Sequence, residues 1–302
     1  MSTATLENGV SLEYEIHGDP SLPVVFVILG ITDNITDWPV GLYEPVVEKG
    51  YCVVRYELRD AGYSTKFEDT GYGDLALALQ RLAEGKKLEG VYTGHDMAED
   101  AVLLMDHLKI GSAFILGYSY GAMVAQLLAL QDPQKVLGLI CLQGSNYNPA
   151  LPARKKEVEQ AMFNATLEYE AQEQKIAAIK ALRMATNGSI HFMDEKEAEQ
   201  SATTSVNRMY CPRGTARMVM SRLVTPPFFE STWEIKCPAL ILHGDEDPIF
   251  SLEHGEDMAN RLSNSTLVVL KGVGHNHPSS IQPIIVEHLV KFLDATIKNV
   301  RS

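Results

Sequence analysis

The chain has 302 residues, 45% of them hydrophobic and 22% charged, which are ordinary values for a globular protein and exclude disordered and fibrous classes. Asp and Glu number 39 against 26 Lys and Arg, giving a formal charge of −13 that repels phosphate backbones and anionic lipid. We therefore expect neither a nucleic acid nor a membrane as a partner, and no apolar stretch reaches the length of a transmembrane helix.

The N-terminal sequence and the cysteines favour a cytoplasmic location. The N-terminus has no basic region followed by an apolar one, so no secretory signal is predicted. The four cysteines lie far apart and form no CxxC pair, and Cys52 and Cys141 fall in predicted strands, where buried free thiols are expected. The sequence leaves a homodimer open.

The first half of the chain alternates between strand and helix patterns. Residues 12–16 alternate apolar and polar side chains, which predicts a half-buried strand, antiparallel at a sheet edge. Continuous apolar runs predict strands buried on both faces, at residues 23–29, 51–56, 113–116 and 136–142. Helices are predicted between them, at residues 42–48 and 98–109, the second with Asp96 as its N-cap. This alternation is the signature of an α/β fold with a parallel, doubly wound sheet.

The pattern changes between residues 145 and 230. Helical patterns replace the strands there, at residues 155–184, 194–209 and 215–223. Strands and helices then alternate again, at residues 238–243, 252–262, 266–270 and 283–298. We therefore predict an α/β core made of residues 1–144 and 231–302, with residues 145–230 inserted as a helical cap, or lid, over the strand ends.

A Gly-x-Ser-x-Gly motif, Gly117-Tyr118-Ser119-Tyr120-Gly121, lies between a predicted strand and a predicted helix. In that context the motif is typical of a nucleophile elbow, a turn so tight that two of its positions have no room for side chains. Ser119 would be held in a strained backbone conformation with its hydroxyl above the sheet. Since so short a motif also arises by chance, the interpretation depends on partner residues elsewhere.

Such partners follow the last two strands. Asp245 and Asp247 come directly after one predicted strand, and His275 comes directly after the next. The carboxyl ends of parallel strands meet at one edge of a sheet, and the order Ser, Asp, His is the one found with this elbow. Serine is a weak nucleophile until a base such as His275 takes its proton, and Asp247 would orient the imidazole. We expect Asp245 only to shape the turn.

The other histidines receive no catalytic role. His277 competes with His275 by position, His243 is expected to pack or to anchor its loop, and His254 is expected to be solvated on its helix. No histidine pair has a spacing typical of metal ligands, so we expect neither a metal nor a cofactor.

Taken together, these stretches resemble the serine hydrolases of the α/β-hydrolase superfamily, and within it the aclacinomycin methylesterase type. The resemblance runs in the family's order from near the N-terminus to residue 275. The stretches that carry it are Leu29-Gly30-Ile31, Trp38-Pro39, residues 55–65, residues 92–100, the serine motif, Arg213-Gly214-Thr215-Ala216-Arg217, residues 243–248 and Gly272-Val273-Gly274-His275.

The resemblance implies an α/β-hydrolase fold with a catalytic triad of Ser119, Asp247 and His275. It also implies an oxyanion hole formed by the backbone N–H groups of Ile31 and Tyr120. Donors in such a hole must meet the oxygen on which charge develops during acyl transfer.

The chain also departs from the family pattern. Leu29 stands where many members have His, Tyr120 where near relatives often have Met, and Glu57 where Asp is frequent. Residues around 79–90 are additional. These departures bear on the substrate more than on the type of reaction.

The cap is rich in Met and aromatic residues, which either wall an apolar pocket or bury the cap's own helices. We expect the pocket to involve Gly30, Tyr118, Tyr120, Met184 and Phe228. A small hydrophobic or aromatic ester, such as a secondary metabolite with a methyl or other small alkyl ester, fits the resemblance.

Three functions follow. The first is hydrolysis of an ester or similar acyl bond through an acyl-enzyme intermediate. The second uses the same residues without hydrolysis, for cyclisation, acyl transfer or decarboxylation in natural-product biosynthesis. The third is a receptor-like relative that binds a ligand without turnover. A complete Ser, Asp and His set argues against the third function, and the sequence does not separate the first two.

Overall fold

The computed structural model describes residues 1–70 and 75–301. Eight strands form one sheet. In chain order they are β1 (Ser2–Thr5), β2 (Ser11–His17), β3 (Val24–Ile28), β4 (Cys52–Tyr56), β5 (Ala113–Tyr118), β6 (Val136–Leu142), β7 (Ala239–Gly244) and β8 (Ser265–Leu270). The helices are α1 (Val40–Glu48), α2 (Leu75–Ala83), α3 (Gly94–His107), α4 (Tyr120–Gln131), α5 (Lys156–Asn164), α6 (Gln172–Ala185), α7 (Glu195–Arg208), α8 (Pro212–Val224), α9 (Leu252–Arg261) and α10 (Gln282–Arg301).

The sheet order is β1-β2-β4-β3-β5-β6-β7-β8, and every pair from β4 to β8 is parallel. The predicted α/β class with a mostly parallel sheet is therefore confirmed. The strand predicted at residues 12–16 is antiparallel as expected, but its placement at the sheet edge is wrong. The short polar segment Ser2–Thr5 pairs with it and forms the edge instead, which the alternation rule does not reveal in so few residues.

Successive residues of the central strands point into two separate cores. In β3, Phe26 belongs to the core formed with α3 and α4, whereas Val25 and Val27 belong to the core formed with α1 and α10. Because strand side chains alternate between faces, these two cores are the two sides of the sheet. All five residues of β3 are buried, as expected for a strand covered by helices on both faces.

Two predicted helix boundaries are corrected by the structure. The N-cap of α3 is Thr93, whose hydroxyl accepts from the Asp96 N–H, while the Asp96 carboxylate accepts from the Thr93 N–H at 2.7 Å. Asp96 is thus the reciprocal partner of a capping box and not its N-cap. The long helix predicted over 155–184 is two helices, α5 and α6, which pack against each other.

Helices α5 to α8 all lie between β6 and β7 in the chain, and three of their arginines hold them to the sheet. Arg217 is buried, Arg183 and Arg208 are half-buried, and each pairs with a carboxylate beyond the carboxyl end of β3 or β4. The pairs are Arg183 with Asp37 (2.6 Å), Arg208 with Glu57 (3.0 Å) and Arg217 with Asp60 (2.7 Å). This segment, residues 145–230, which we call the insertion, is therefore held to the loops that follow the carboxyl ends of β3 and β4.

Helix α2 lies in the region of the additional residues and packs against α8. Leu75 and Ala78 bury their side chains against Ala216 and Met220. Within residues 1–70 and 75–301, none of the helices combines the length and the apolar character that crossing a bilayer requires.

Candidate active site

Ser119 lies at the turn between β5 and α4 with φ 54° and ψ −118°. A positive φ is unfavourable for a residue with a side chain, so the turn is strained where the sequence predicted it. A Cβ on Gly117 would collide with the backbone of Gly121, and a Cβ on Gly121 would collide with the carbonyl groups of Ile28 and Leu29. Both glycines are therefore required by close backbone approach, the second one against β3.

The structure brings Ser119, His275 and Asp247 together at one edge of the sheet. The His275 Nε2 lies 2.9 Å from the Ser119 Oγ, and its Nδ1 lies 2.6 Å from Asp247 Oδ2. Each residue follows a parallel strand, namely β5, β8 and β7, so the sheet itself makes residues distant in sequence converge.

Asp247 is positioned to hold the His275 ring in one tautomer. Its Oδ1 accepts from the N–H groups of Ile249 at 2.8 Å and Phe250 at 2.9 Å, which leaves Oδ2 for the histidine. Burial raises the pKa of Asp247, but the charge and hydrogen bond of His275 outweigh burial and hold that pKa below its usual value. An ionised Asp247 accepts the Nδ1 proton, so Nε2 is free to accept from the serine hydroxyl.

None of the competing residues is hydrogen-bonded to Ser119, although His243 Nε2 lies 3.9 Å from Asp247 Oδ2. Asp245 accepts from the Gly272 N–H at 2.7 Å and pairs with Lys271 at 3.1 Å, so it closes the turn after β8. His243 is fully buried with its Nε2 2.7 Å from the Phe250 carbonyl oxygen. His277 is also buried, and burial together with the nearby charge of His275 lowers its pKa to about 3.

A cavity of about 640 Å³ opens onto Ser119 and His275, a size ordinary for a small-molecule site. Apolar side chains of the insertion form much of its wall, among them Leu151, Met162, Phe163, Leu182 and Val219. Ile31, Tyr118 and Tyr120 also line it.

Three residues expected at the pocket are not part of this wall. Met184 is 38% exposed on α6, and Phe228 is buried in the core on the α3 and α4 side of the sheet. Both lie on segments whose inward face the sequence does not reveal. Gly30 is close to the nucleophile, since a Cβ on it would be 3.3 Å from the Ser119 Cβ, but it contributes no lining surface.

The two tyrosines beside the nucleophile use their hydroxyl groups for support. The Tyr118 hydroxyl donates to the His275 carbonyl oxygen at 2.7 Å, which anchors the histidine backbone. The Tyr120 hydroxyl is 2.6 Å from the Ser221 Oγ and joins the elbow helix to α8 of the insertion. Each ring therefore lines the cavity while its polar end links two segments.

Several residues near the nucleophile were not predicted. Asp33 is buried on the cavity wall and accepts from the Gly30 N–H at 3.1 Å. Burial and the charge of Asp37 raise the pKa of Asp33 to about 7. Charged residues of loops carry no periodic signal, so the sequence offered no means of finding Asp33 before the fold was known.

His254 also lines the cavity, and the expectation that it is solvated is wrong. It is 6% exposed, with Nδ1 2.8 Å from the Ser145 Oγ and Nε2 3.0 Å from the Pro152 carbonyl oxygen. The ring fixes the first segment of the insertion against α9. Among the described residues, no cluster of His, Cys, Asp or Glu has a geometry suited to a metal ion.

Comparison with known proteins agrees with this geometry. Residues 23–277 match the family model described as the alpha/beta hydrolase fold. Rhodomycin D methylesterase DnrP of Streptomyces peucetius is 24% identical, over 93% of this chain and 94% of that protein. The 3-oxoadipate enol-lactonase 2 of Acinetobacter baylyi is also 24% identical, over 93% of this chain and 92% of that protein.

Solved structures show the same fold. The esterase RhEst1 from Rhodococcus sp. ECU1013 superposes with a TM-score of 0.73 at 18% identity, covering 96% of this chain and 98% of that one. The enol-lactonase from Burkholderia xenovorans LB400 gives a TM-score of 0.71 at 19% identity, covering 97% of this chain and 100% of that one. The chain belongs to the α/β hydrolase family and is an enzyme of the hydrolase class.

Proposed function

We propose that this hydrolase is a serine esterase that cleaves a small hydrophobic or aromatic ester through an acyl-enzyme intermediate. The observation that carries the proposal is the continuous chain of contacts from Asp247 through His275 to Ser119, which ends on a serine open to an apolar cavity. A binding protein has no need of a buried carboxylate, an oriented imidazole and a strained serine.

The reaction follows from these contacts. His275 Nε2 takes the Ser119 proton as the serine oxygen attacks the ester carbonyl carbon, and Asp247 stabilises the imidazolium that forms. The same proton then passes to the leaving alkoxide, the carbon–oxygen bond breaks, and the acyl group remains on Ser119. In the second step His275 takes a proton from water, which attacks the acyl carbon. The bond to the Ser119 oxygen then breaks, and the carboxylic acid and free serine are released.

We assign the oxyanion hole to the backbone N–H groups of Ile31 and Tyr120. Tyr120 is the first residue of α4, so its N–H has no acceptor within the helix, and the positive end of the helix dipole favours an anion there. Ile31 follows Gly30, which lies against Ser119. The Asp33 carboxylate, by accepting from the Gly30 N–H, holds this turn in place.

We further propose that residues 145–230 act as the cap, with 1–144 and 231–302 as the catalytic core. The insertion supplies most of the apolar wall above Ser119, so it selects the substrate while the core performs the reaction. The rhodomycin D methylesterase and the 3-oxoadipate enol-lactonase act, by their names, on a methyl ester and on an enol-lactone, which supports an ester substrate. The four free cysteines agree with a cytoplasmic location, which we retain as part of the proposal.

The test is labelling with a fluorophosphonate, followed by hydrolysis assays on aromatic methyl esters. We expect one adduct per chain on Ser119, none on Ser119→Ala, and ester turnover that the variant lacks. An intact mass spectrum of the native protein without an adduct would contradict an activated serine. Complete labelling without turnover of any ester would favour the non-hydrolytic use of the site.

A further inference from the structure

Two arginines of the insertion line the catalytic cavity without a carboxylate partner. Arg154 precedes α5, and Arg222 lies in the last turn of α8. Among the described residues, no acidic oxygen lies within ion-pair distance of either guanidinium group. Arg154 donates only to the Met162 sulfur at 3.2 Å, and the Nε of Arg222 is buried with no hydrogen-bond acceptor.

The other buried or half-buried arginines of the described chain are different, because each has a carboxylate partner. They are Arg55, Arg59, Arg183, Arg208, Arg217 and Arg261. Acidic residues outnumber basic ones by 39 to 26, so partners are plentiful in this chain. Burying a charge without a partner is costly, which indicates that the two cavity arginines are kept for a partner from outside.

Both arginines line the cavity that opens onto Ser119, and the charge of one acts on the other. Burial lowers the pKa of Arg154, and the charge of Arg222 lowers it further. The Arg222 guanidinium stacks 4.8 Å above the ring of Tyr147, whose own pKa is raised to about 12 by burial despite both arginines. Glu159 at the start of α5 is the nearby acidic residue, but it is exposed and beyond ion-pair distance from Arg154.

Both arginines are tied structurally to the proposed catalytic residues. The N–H of Lys155, next to Arg154, donates to the carbonyl of Pro248, the residue after Asp247, at 2.8 Å. Ser221, next to Arg222, contacts the Tyr120 hydroxyl beside the nucleophile.

A row of contacting aromatic rings connects Arg222 to His275. Tyr147, beneath the Arg222 guanidinium, packs on Phe250 at 5.5 Å, and Phe250 packs on His275 at 5.8 Å. The pair of cations is thus separated from the reacting atoms by an apolar stretch of the same cavity.

We propose that Arg154 and Arg222 bind a carboxylate carried by the ester substrate, at the end of the molecule remote from the bond that is cleaved. The inference rests on the proposed esterase function and narrows its substrate class to hydrophobic esters with a free acid group. Guanidinium groups match carboxylate geometry, and charge-assisted hydrogen bonds between them are roughly twice as strong as neutral ones. A neutral ester would leave both cations desolvated and unpaired.

The test compares matched esters that differ only in the remote charge. One pair is the mono-p-nitrophenyl ester of suberic acid and its methyl-capped form, with the carboxylate on the acyl side. The other pair is 4-(octanoyloxy)benzoate and its methyl ester, with the carboxylate on the alcohol side. The readout is the ratio of kcat/KM for the acid to kcat/KM for the neutral ester, so each enzyme serves as its own reference.

We expect the native enzyme to prefer the acid in one of the two pairs by about tenfold or more, because a hydrogen bond to a charged group contributes that much. The ratio should fall toward unity in Arg154→Gln and Arg222→Gln. The ratio should be unchanged in Arg213→Gln, which removes an exposed charge from α8, the helix of Arg222, at a position outside the cavity. Thermal unfolding and fluorophosphonate labelling check that each variant is folded with a reactive serine.

A native ratio near or below unity in both pairs, with Ser119 labelled and the neutral esters hydrolysed, would overturn the carboxylate site and leave the esterase proposal standing. A preference that survives both cavity variants would also overturn the assignment. Failure of labelling would instead contradict the proposed function itself.

Discussion

The sheet and the helical insertion are held together in different ways. The central strands are buried on both faces, and their apolar side chains form two large clusters, one on each side of the sheet. The insertion has a much smaller apolar cluster of its own, and it is held to the sheet by the buried pairs of Arg183, Arg208 and Arg217. Apolar packing thus places the proposed catalytic residues, whereas charge places the wall above them.

This difference assigns separate tasks to the two regions. The three proposed catalytic side chains each follow a strand of the sheet. The insertion carries two kinds of buried or half-buried arginine, those paired with carboxylates and those that line the cavity without a carboxylate partner. The first kind fixes the insertion, and we propose that the second kind selects the substrate.

The largest effect should come from breaking the contact between His275 and its carboxylate. Asp247→Asn keeps the shape but favours the wrong imidazole tautomer, so kcat should fall by about 10⁴. Asp245→Asn alters only the turn at Lys271 and Gly272 and should change kcat by a small factor. Steady-state ester hydrolysis measures both. A greater loss for Asp245→Asn would reverse the choice of acid.

The next largest effect should come from breaking a charged link between the two regions. Arg217→Met leaves Asp60 buried without its bidentate partner, so the free energy of unfolding should fall by about 3–5 kcal/mol. Arg213→Met on the same helix removes only an exposed pair with Glu168 and should cost less than about 1 kcal/mol. Urea unfolding distinguishes them, and equal losses would contradict the role given to buried pairs.

The pH dependence of the free energy of unfolding should differ between the native chain and a variant at Asp33. Its pKa is raised to about 7, so it stabilises the folded state below its ordinary pKa of 3.8 and loses that contribution as the pH rises through 7. Asp33→Asn should therefore gain in free energy of unfolding relative to the native chain between pH 4 and 7, by at most about 1.4 kcal/mol per pH unit. Urea unfolding across this range is the measurement, and a difference that is independent of pH would be contrary to the expectation.

The smallest effect should come from the hydroxyl that links the elbow to the insertion. Tyr120→Phe removes the contact with Ser221 but keeps the ring on the cavity wall, so stability should fall by about 1 kcal/mol. The backbone N–H assigned to the oxyanion hole is retained, and kcat should change by only a few-fold. A loss of a hundredfold in kcat with normal stability would show that the hydroxyl itself takes part in catalysis.

The sequence predicted those parts of the molecule that depend on local patterns. Buried strands are continuous apolar runs, and the elbow has its own glycine spacing. The sheet and the convergence of Ser119, Asp247 and His275 could therefore be predicted from the sequence. The edge strand β1 and the break between α5 and α6 were not, because short polar segments carry little periodicity. The pairs of Arg183, Arg208 and Arg217 join residues more than a hundred positions apart, which no local rule detects.

The pocket illustrates the same limit. Tyr118 and Tyr120 were found because they are adjacent to the nucleophile in sequence. Composition alone points to Met184 and Phe228, but which side chains of the insertion face inward depends on how its segments pack. Arg154 and Arg222 stand out only when every possible partner has a position in space.

Trapping the acyl-enzyme tests the proposed role of Ser119 most directly. The enzyme would be mixed with a p-nitrophenyl ester, quenched in acid within its first turnover, digested and analysed by mass spectrometry. An acyl-enzyme on Ser119 predicts a burst of p-nitrophenol close to one equivalent, with the acyl mass on the peptide containing Ser119 and absent from Ser119→Ala. Turnover without that adduct, or an acyl group on another residue, would contradict it.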